Sequence, residues 1–338
     1  MIVVNFAKIL AFKAYENKNF VCRLLMSIMQ DGDTKVHMIS YQDCDPILSW
    51  KGLSEALQSG HKLSRAEISD TFLYRGADTL LSRSAWIDGI GIAIKCATIF
   101  PGNKNFKKPS INGAVNLFDD KTGQLSAIID FHLVTKWKTA GDSILAAKLL
   151  ARPNSQNILI LGAGTVAHSL RQAYADFFPD AHFSVWNRTF ERAEKFAAYF
   201  PNTMAVKDLE NAISAADIIS AATMSSEPLI NGKWLQPGQH IDLIGAYRPD
   251  MREADDTTLK RSTIFVDSFE TTIDHIGELK IPIASNVIKR EAVISDFYNI
   301  EAFQRSSDSE ITLFKNGGGA HLDLMTAHFI LQTWLENN

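Results

Sequence analysis

The chain has 338 residues, of which 46% are hydrophobic and 21% are charged, and its formal net charge is -4. This length fits two domains, and the composition is that of a globular protein. The small negative charge gives no reason to expect nucleic acid or an anionic membrane as a partner. The three cysteines, Cys22, Cys44 and Cys96, are widely spaced and form no CxxC pair. We therefore predict no disulfide framework, no bound metal and a cytoplasmic location.

Residues 1–34 are predicted to be an N-terminal extension outside the fold. The apolar run at residues 20–29 is interrupted by Arg23, and no small-residue cleavage site follows a longer apolar core. This pattern argues against a secretory signal. The chain has no run of 18 apolar residues, so we expect no transmembrane helix.

Residues 35–134 are predicted to form a sheet-rich first domain. Branched and aromatic residues recur in runs that turn-forming residues separate, which is typical of strands joined by turns. The predicted strands cover residues 36–39, 68–74, 79–81, 89–100, 112–118 and 125–131. Lys95 lies in the long fourth strand after an apolar run from Ile90 to Ile94, where an unpartnered charge is costly.

A helix over residues 135–151 is predicted to lead into a second domain, which begins with a nucleotide-binding motif. The four aliphatic residues from Ile158 to Leu161 suit a strand buried on both faces of a parallel sheet. Gly162, Gly164 and Ala167 follow at the GxGxxA spacing, and a helical run continues after them.

The residues of this motif have physical roles in binding a dinucleotide. Gly162 permits a tight turn, Gly164 lets a pyrophosphate approach the backbone, and Ala167 lets the helix pack close to the strand. The helix N-terminus, with Thr165 and Val166, offers free N–H groups and a positive dipole end to the phosphates. The alternative is a tight strand-to-helix turn in an α/β protein that binds no nucleotide.

The end of the second strand of this domain, predicted at residues 182–186, indicates which nicotinamide cofactor binds. An NAD enzyme carries an acidic residue here for the ribose 2′-hydroxyl, whereas this chain has Asn187, Arg188 and Thr189. An Arg with two small polar residues suits a 2′-phosphate, because a guanidinium binds phosphate bidentately. We therefore predict NADPH, with NADH as the second choice. The alternative is that Arg188 is a solvated loop residue.

Strands and helices alternate up to about residue 312. Thr223 follows one predicted strand and Gly245 follows another, and both are predicted to line the cofactor. A short strand over residues 311–315, a glycine-rich hinge over 316–319 and an amphipathic helix over 321–334 complete the chain. We expect this tail to return to the first domain. That domain then comprises residues 35–134 and 313–338, and residues 135–312 form a Rossmann domain.

Several motifs, taken in order, resemble those of the ornithine cyclodeaminase/mu-crystallin family, and the resemblance covers about residues 35–338. Each motif is weak alone, but the ordered set is specific. The motifs are Lys95 before Phe100-Pro-Gly-Asn103, Asp120-Lys-Thr-Gly123, Thr135-Lys-Trp-Lys-Thr-Ala140, Gly162-Ala-Gly-Thr-Val-Ala167, Pro237-Gly-Gln-His-Ile-Asp-Leu-Ile-Gly245, Arg252-Glu253 and Ile311-Thr-Leu-Phe-Lys315.

The resemblance implies an α/β fold in which a Rossmann domain is inserted into a second, α+β domain built from both chain ends. That second domain is expected to bind the substrate and to form a homodimer. The resemblance also implies a nicotinamide cofactor and an α-amino or α-imino acid substrate. Family members include ornithine cyclodeaminase, alanine dehydrogenases, ketimine reductases and the hormone-binding mu-crystallin, so the reaction is not fixed by membership.

The resemblance further implies that basic residues grip the substrate carboxylate. Lys95 matches the family's Lys, and Arg65 is a looser match to an Arg that precedes the first strand pair. Lys138 stands where the family has Arg in T-x-x-R-T-A-A, which keeps the charge but loses the planar fork. Asp323 matches an Asp in the closing helix. The alternatives are that Arg65 and Lys138 are solvated charges and that Asp323 only stabilises a helix N-terminus.

A second departure from the family bears on the reaction. In ornithine cyclodeaminase the loop after the strand ending at Gly245 carries an Asp for the side-chain amine, and this chain has Tyr247 there. Because Tyr cannot supply a carboxylate, cyclodeamination is disfavoured.

We therefore expect an NAD(P)H-dependent ketimine reductase. The preferred substrate is the cyclic imino acid Δ1-pyrroline-2-carboxylate, which gives L-proline, and Δ1-piperideine-2-carboxylate is next. Lys95, Arg65 and Lys138 would hold the carboxylate. Either Lys95 or a water would protonate the imine nitrogen, oriented by Asp323. The alternatives are an ornithine cyclodeaminase or alanine-type dehydrogenase, and a non-catalytic NADPH-dependent binding protein like mu-crystallin.

Overall fold

The computed structural model describes residues 35–338, which fold around two β-sheets. The extension predicted at residues 1–34 lies outside the described residues. One sheet has six strands and the other has eight. Within residues 35–338, no helix combines the length and the apolar character that a membrane span needs.

The six-stranded sheet has the order β1-β6-β5-β4-β3-β2. Its strands are β1 (His37–Ile39), β2 (Glu67–Arg75), β3 (Asp78–Ile87), β4 (Gly91–Ile99), β5 (Ile111–Phe118) and β6 (Leu125–Asp130). Strands β2 to β6 form an antiparallel meander, whereas β1 is parallel to β6. Residues of β4 alternate between buried and partly exposed. Lys95 therefore lies with Ala93 and Ala97 on the covered face.

Helices cover that face of the sheet. Helices α1 (Tyr41–Cys44) and α2 (Trp50–Gly60) follow β1, and α3 (Phe131–Leu150) follows β6. The side chain of Asp130 caps α3, because its carboxylate accepts the otherwise free N–H groups of His132 and Leu133. Helix α3 packs on β5, β6 and α2, and its carboxyl end leads into the second sheet.

The eight-stranded sheet is parallel, with the order β13-β12-β14-β11-β10-β7-β8-β9. Strands β9 to β11 give the 3-2-1-4-5 arrangement of a Rossmann fold. The strands are β7 (Asn157–Leu161), β8 (His182–Trp186), β9 (Thr203–Ala205), β10 (Ile218–Ala221), β11 (His240–Leu243), β12 (Thr263–Val266), β13 (Val293–Ser295) and β14 (Thr312–Lys315). The predicted α/β class with a Rossmann architecture is confirmed.

Short helices connect these strands, and the core lies between helices and sheet. Both faces of the central strands are buried, as at Ile160, Ile219 and Leu243, and of these strands β7 is a continuous apolar run after Asn157. The helices are α4 (Thr165–Phe177), α5 (Phe190–Tyr199), α6 (Leu209–Ala215), α7 (Asp256–Arg261), α8 (Phe269–Thr272) and α9 (Gly277–Ala284). The 3-10 turns are Asp45–Ile47, Pro101–Phe106, Arg290–Ala292 and Phe297–Ala302.

The last part of the chain contributes a strand to the eight-stranded sheet and a helix to the six-stranded sheet. The boundary between these two parts lies later in the sequence than predicted. Strand β14 lies between β11 and β12, so the nucleotide-binding sheet includes residues up to Lys315 and does not stop at 312. Helix α10 (Ala320–Asn337) then packs on β3, β4 and β5. The intervening glycines are required, because a Cβ at Gly317 would lie 2.5 Å from Thr272 Oγ1 and Gly318 has a φ of +69°.

Candidate active site

The glycine loop after β7 has the shape that a dinucleotide needs. Gly162 has a φ of +105°, and a Cβ there would lie 2.7 Å from the carbonyl oxygen of Ala222, so the turn requires glycine. A Cβ on Gly164 would meet nothing within 4 Å. Open space therefore lies beside the N-terminus of α4, which no side chain caps. The first-turn N–H groups, including those of Thr165 and Val166, are available to a pyrophosphate.

The loop after β8 carries the residues predicted to select the cofactor. The side-chain amide of Asn187 donates a 2.9 Å hydrogen bond to the carbonyl oxygen of Thr189, which fixes the turn. Arg188 between them is exposed, and the first acidic residue after β8 is Glu191, inside helix α5. The carboxylate expected for a free ribose 2′-hydroxyl is thus absent from this loop.

The buried carboxylate of Glu253 ties together the ends of β10 and β11. One oxygen accepts hydrogen bonds from the backbone N–H and the hydroxyl of Thr223, both at 2.7 Å. The other accepts from the backbone N–H of Gly245 at 2.7 Å. Burial raises the pKa of Glu253 to about 7. Thr223 and Gly245 therefore lie side by side at the carboxyl edge of the sheet, where this fold binds its cofactor.

Charged side chains from three elements meet on the covered face of the six-stranded sheet. Lys95 Nζ in β4 donates a 2.9 Å hydrogen bond to Asp323 Oδ1 in α10. Lys138 Nζ in α3 lies 3.6 Å from the same oxygen and donates a 2.6 Å hydrogen bond to the carbonyl oxygen of Gly318. All three side chains are buried. We call Lys95, Lys138 and Asp323 the lysine cluster.

The lysine cluster holds more positive than negative charge. Burial acts to raise the pKa of Asp323, but the positive charges of Lys138, Lys95 and Arg83 outweigh burial and hold that pKa below its usual value. Burial lowers the pKa of Lys138 to about 8, although the charge of Asp323 counteracts the shift. Asp323 Oδ2 has no hydrogen-bond partner among the described residues. The two ammonium groups can therefore bind a further anion, and Asp323 Oδ2 can accept a hydrogen bond from a polar group.

A cavity of about 430 Å³ lies between the two sheets. Asp70 and Arg83 line it from the six-stranded sheet, and Tyr247 and Gly317 line it from the loops after β11 and β14. Gly317 immediately precedes Gly318, whose carbonyl oxygen binds Lys138. The cavity therefore extends from the loops at the carboxyl edge of the nucleotide-binding sheet to Arg83, and its volume suits a small-molecule site.

A comparison with protein families places the chain. The model of the ornithine cyclodeaminase/mu-crystallin family matches residues 87–338. The chain belongs to this family. This membership confirms the resemblance inferred from the ordered motifs.

Two relatives and one solved structure show how similar the chain is to other members. The Δ1-pyrroline-2-carboxylate reductase of Paracoccus denitrificans is 50% identical over 300 residues, covering 86% of this chain and 95% of the relative. The ketimine reductase mu-crystallin of Mus musculus is 34% identical over 244 residues, covering 72% and 76%. The structure of Thermococcus litoralis Δ1-pyrroline-2-carboxylate reductase in complex with NADH and L-proline matches with a TM-score of 0.82. It is 27% identical and covers 89% of this chain and 98% of that chain.

The structure does not bring Arg65 to the lysine cluster. Its guanidinium donates hydrogen bonds of 2.9 and 3.2 Å to the carboxylate of Asp296, and it lies 4.4 Å from the ring centroid of Tyr298. The Arg65 side chain is 45% exposed. Its part in binding a substrate carboxylate stays a prediction that no contact in the described residues supports.

The structure places at the site an arginine that the sequence analysis missed. Arg83 in β3 lies directly opposite Lys95 in β4, so both side chains project from the same face. Arg83 Nη1 donates a 2.7 Å hydrogen bond to the carbonyl oxygen of Gly318, which also binds Lys138. The two-residue repeat of a strand could have indicated this position. Arg83 lies two and four residues before Ala85 and Ile87, which are buried, so its side chain points to the same face of the sheet.

The two sides of the cavity also bear on the family's reactions. Tyr247, which the resemblance aligns with the cyclodeaminase Asp, lines the cavity and is 58% exposed. The equivalence of the two positions stays a prediction. Glu270 lines the same cavity, so an acidic residue does lie in its wall.

Proposed function

We propose that this chain is an NAD(P)H-dependent ketimine reductase that reduces Δ1-pyrroline-2-carboxylate to L-proline, with Δ1-piperideine-2-carboxylate as the next substrate. The observation that carries the proposal is the buried, net-positive lysine cluster beside a cavity at the carboxyl edge of a dinucleotide-binding sheet. The relative that is 50% identical bears the name of this activity.

The chemistry required is the addition of a hydride to carbon and a proton to nitrogen of a C=N bond. The nicotinamide cofactor supplies the hydride when it is bound. Lys95 and Lys138 bind the imino-acid carboxylate, and so orient the C=N carbon and weaken the repulsion of the incoming hydride. The proton reaches the imine nitrogen from Lys95 Nζ or from a water. Asp323, bonded to Lys95 at 2.9 Å, holds that donor in place.

For the cofactor we propose a preference for NADPH over NADH. The loop after β8 offers the exposed guanidinium of Arg188 and no carboxylate before Glu191. A 2′-phosphate gains a charge-assisted partner there. An acidic residue, which would repel that phosphate, is absent from the loop.

NADPH oxidation against a panel of cyclic imines tests the proposed function. We expect Δ1-pyrroline-2-carboxylate to give the highest kcat/KM and Δ1-piperideine-2-carboxylate the next. Stoichiometric formation of L-proline, measured by amino-acid analysis, should accompany the oxidation. Cofactor binding without oxidation by any imine would contradict the proposal and favour a binding protein like mu-crystallin.

A second candidate function rests on Glu270, an acidic residue that lines the cavity together with Tyr247. The side-chain ammonium group of a longer substrate such as ornithine could pair with the carboxylate of Glu270. The test is ammonia release from L-ornithine and L-alanine with NAD⁺ or NADP⁺. We expect none above background, because the family position for the acid carries Tyr247. Release at a rate comparable with imine reduction would favour a cyclodeaminase or an amino-acid dehydrogenase.

For the assembly we propose a homodimer through the outer face of the six-stranded sheet. Helix α10 packs on the opposite face, where Asp323 meets Lys95. The outer face carries large apolar side chains that remain exposed, with Leu73 at 62%, Trp86 at 48% and Leu80 at 37%. An apolar sheet face of this kind is typical of an interaction surface. The partly buried Ile92, Ile94 and Phe118 continue it across β4 and β5.

Light scattering at micromolar concentration checks the dimer. We expect the wild type to be dimeric and Leu80→Glu to be monomeric, because a buried unpaired carboxylate at the interface is costly. Met204→Glu is the matched control, since Met204 is 64% exposed on β9 of the other sheet. A monomeric wild type would contradict the proposal.

We also propose a cytoplasmic location, which suits the free thiols of Cys44 and Cys96 and which cell fractionation checks.

A further inference from the structure

The cation that faces the cavity is Arg83, and the lysines lie behind it. Among the described residues that line the cavity, Arg83 is the one Lys or Arg side chain. Lys95 and Lys138 are only 6% and 5% exposed, and neither lines the cavity. A carboxylate that enters from the cavity therefore meets the guanidinium before it meets either ammonium group.

The guanidinium of Arg83 is bonded to two groups, Asp70 and Gly318, which leaves two of its N–H groups for a ligand. Its Nε and Nη2 donate hydrogen bonds to the carboxylate of Asp70, at 3.1 and 2.5 Å, and Nη1 donates to the carbonyl oxygen of Gly318 at 2.7 Å. A guanidinium has five N–H groups, so one remains on Nη1 and one on Nη2. Such a pair matches the two oxygens of a carboxylate.

The cations outnumber the carboxylates that are bonded to them. Arg83, Lys95 and Lys138 are cations, and Asp70 and Asp323 are their only bonded carboxylates among the described residues. The charge of Asp267 also acts on Arg83, and Glu270 lines the cavity, but neither is bonded to these cations in the described residues. A substrate carboxylate therefore adds a bonded partner for the cations, which a neutral ligand does not.

The lysine at position 138, where the resemblance expects an arginine, explains why an arginine from elsewhere in the chain is needed at this site. The family carries an Arg at the position of Lys138, and the lysine loses the planar fork. Lys138 and Arg83 nevertheless bind the same carbonyl oxygen, that of Gly318. The cations of β3 and α3 therefore converge on one backbone oxygen.

We propose that Arg83 binds the substrate carboxylate bidentately and so replaces the arginine that the family carries at position 138, with Asp70 as its positioning residue. This inference rests on the proposed function, since it assigns the carboxylate contact of that same site. It makes Arg83, with Lys95, the main determinant of the affinity for α-imino acids. Lys138, which lines no part of the cavity, adds the second ammonium charge behind the guanidinium.

The first test is the steady-state kinetics of Arg83→Met with Δ1-pyrroline-2-carboxylate. We expect KM to rise roughly 10- to 150-fold, the range for a hydrogen bond to a charged group. We expect kcat to change much less, because the proton donor at Lys95 is kept. The NADPH Kd should be unchanged. Arg75→Met is the matched control, since Arg75 pairs with Asp78 at the tip of the same hairpin and its side chain is 80% exposed.

The second test moves the guanidinium back to the helix. Lys138→Arg in the Arg83→Met background should recover most of the lost affinity, because the family's arrangement is then restored. Asp70→Asn in the wild type should raise KM by less than Arg83→Met does, since it only loosens the guanidinium. If Arg83 merely holds the hairpin to Asp70, the Arg83 and Asp70 variants will lower Tm together without a selective change in KM. Lys138→Arg will then restore nothing, and the inference is overturned.

A binding measurement separates this inference from the proposed function. Calorimetry of L-proline with the NADPH-loaded protein reports the carboxylate contact without turnover, because both partners are already in their reduced forms. Weaker binding by Arg83→Met alone supports the inference even when imine reduction proves slow. Equal binding by the wild type and Arg83→Met overturns the inference and leaves the reductase assay to decide the function. A wild type that neither binds L-proline nor oxidises NADPH overturns both.

Discussion

The cofactor end and the substrate end of this molecule are built in opposite ways. The cofactor end consists of backbone and exposed groups that are neighbours in sequence, from Gly162 to Val166 and from Asn187 to Thr189. The substrate end consists of buried charged side chains from β4, α3 and α10, and Lys95 and Asp323 are 228 residues apart. A substitution at the cofactor end should therefore alter cofactor binding alone. A substitution at the substrate end should have a larger effect, because it leaves a buried charge without its partner.

The largest effect should come from Lys95→Met, which removes the cation that is bonded to Asp323. If Lys95 only binds the carboxylate, KM should rise strongly with a smaller change in kcat. If it also protonates the imine nitrogen, kcat should fall by a further ~10²–10⁴-fold. Steady-state kinetics with Δ1-pyrroline-2-carboxylate measure both, and fluorescence titration should show NADPH binding intact. Lys148→Met, on an exposed part of α3, is the control. Near wild-type kcat/KM in Lys95→Met would make the lysine structural and the site misplaced.

The next effect tests the cofactor end. Arg188→Ala should weaken NADPH binding by about 1.5–3 kcal/mol, the range for a hydrogen bond to a charged group, and should leave NADH binding nearly unchanged. Kd values for both cofactors measure this. Arg192→Ala, an exposed arginine one turn into α5, should change neither value. An equal loss of affinity for NADPH and NADH would exclude a contact between Arg188 and the 2′-phosphate.

A third, smaller effect concerns pH at the substrate end. Burial lowers the pKa of Lys138 to about 8, so this lysine is charged below that pH and neutral above it. The log of kcat/KM, which reports free-enzyme groups, should therefore fall with a slope of about one above pH 8. Lys138→Arg should remove this limb, because a guanidinium does not titrate in the range. A limb that persists unchanged in Lys138→Arg belongs to another group.

The smallest effect should come from Arg65→Ala. Arg65 is half exposed and bonded to Asp296 rather than to the lysine cluster. We expect kcat/KM to change by less than about threefold, which corresponds to ordinary surface substitutions of about 0.5 kcal/mol. A loss comparable with that of Arg83→Met would return Arg65 to the carboxylate site and contradict the division between these two arginines.

Sequence reasoning succeeded where the determinant is local. The strand, the glycines and the helix start of the nucleotide motif lie within a few residues, so one pattern predicts one structure. Lys95 was singled out because its own neighbours are apolar. Arg83 was missed because its meaning depends on Asp70 across the hairpin and on Gly318, 235 residues away. Arg65 is predicted at the site from a loose match to a family arginine, and its observed partner, Asp296, lies 231 residues later. Partners that distant leave no trace in the local pattern.

The position of β14 has a consequence for the synthesis of the protein. Among the described strands it is the last to leave the ribosome, yet it lies between β11 and β12. Until Thr312 has been added, β11 presents an open edge, and the pair of β12 and β13 lacks the neighbour that it has in the folded protein. Open strand edges invite association with other chains. The nascent chain therefore passes through a stage in which the nucleotide-binding sheet is in two pieces, and a chaperone is most useful to it then.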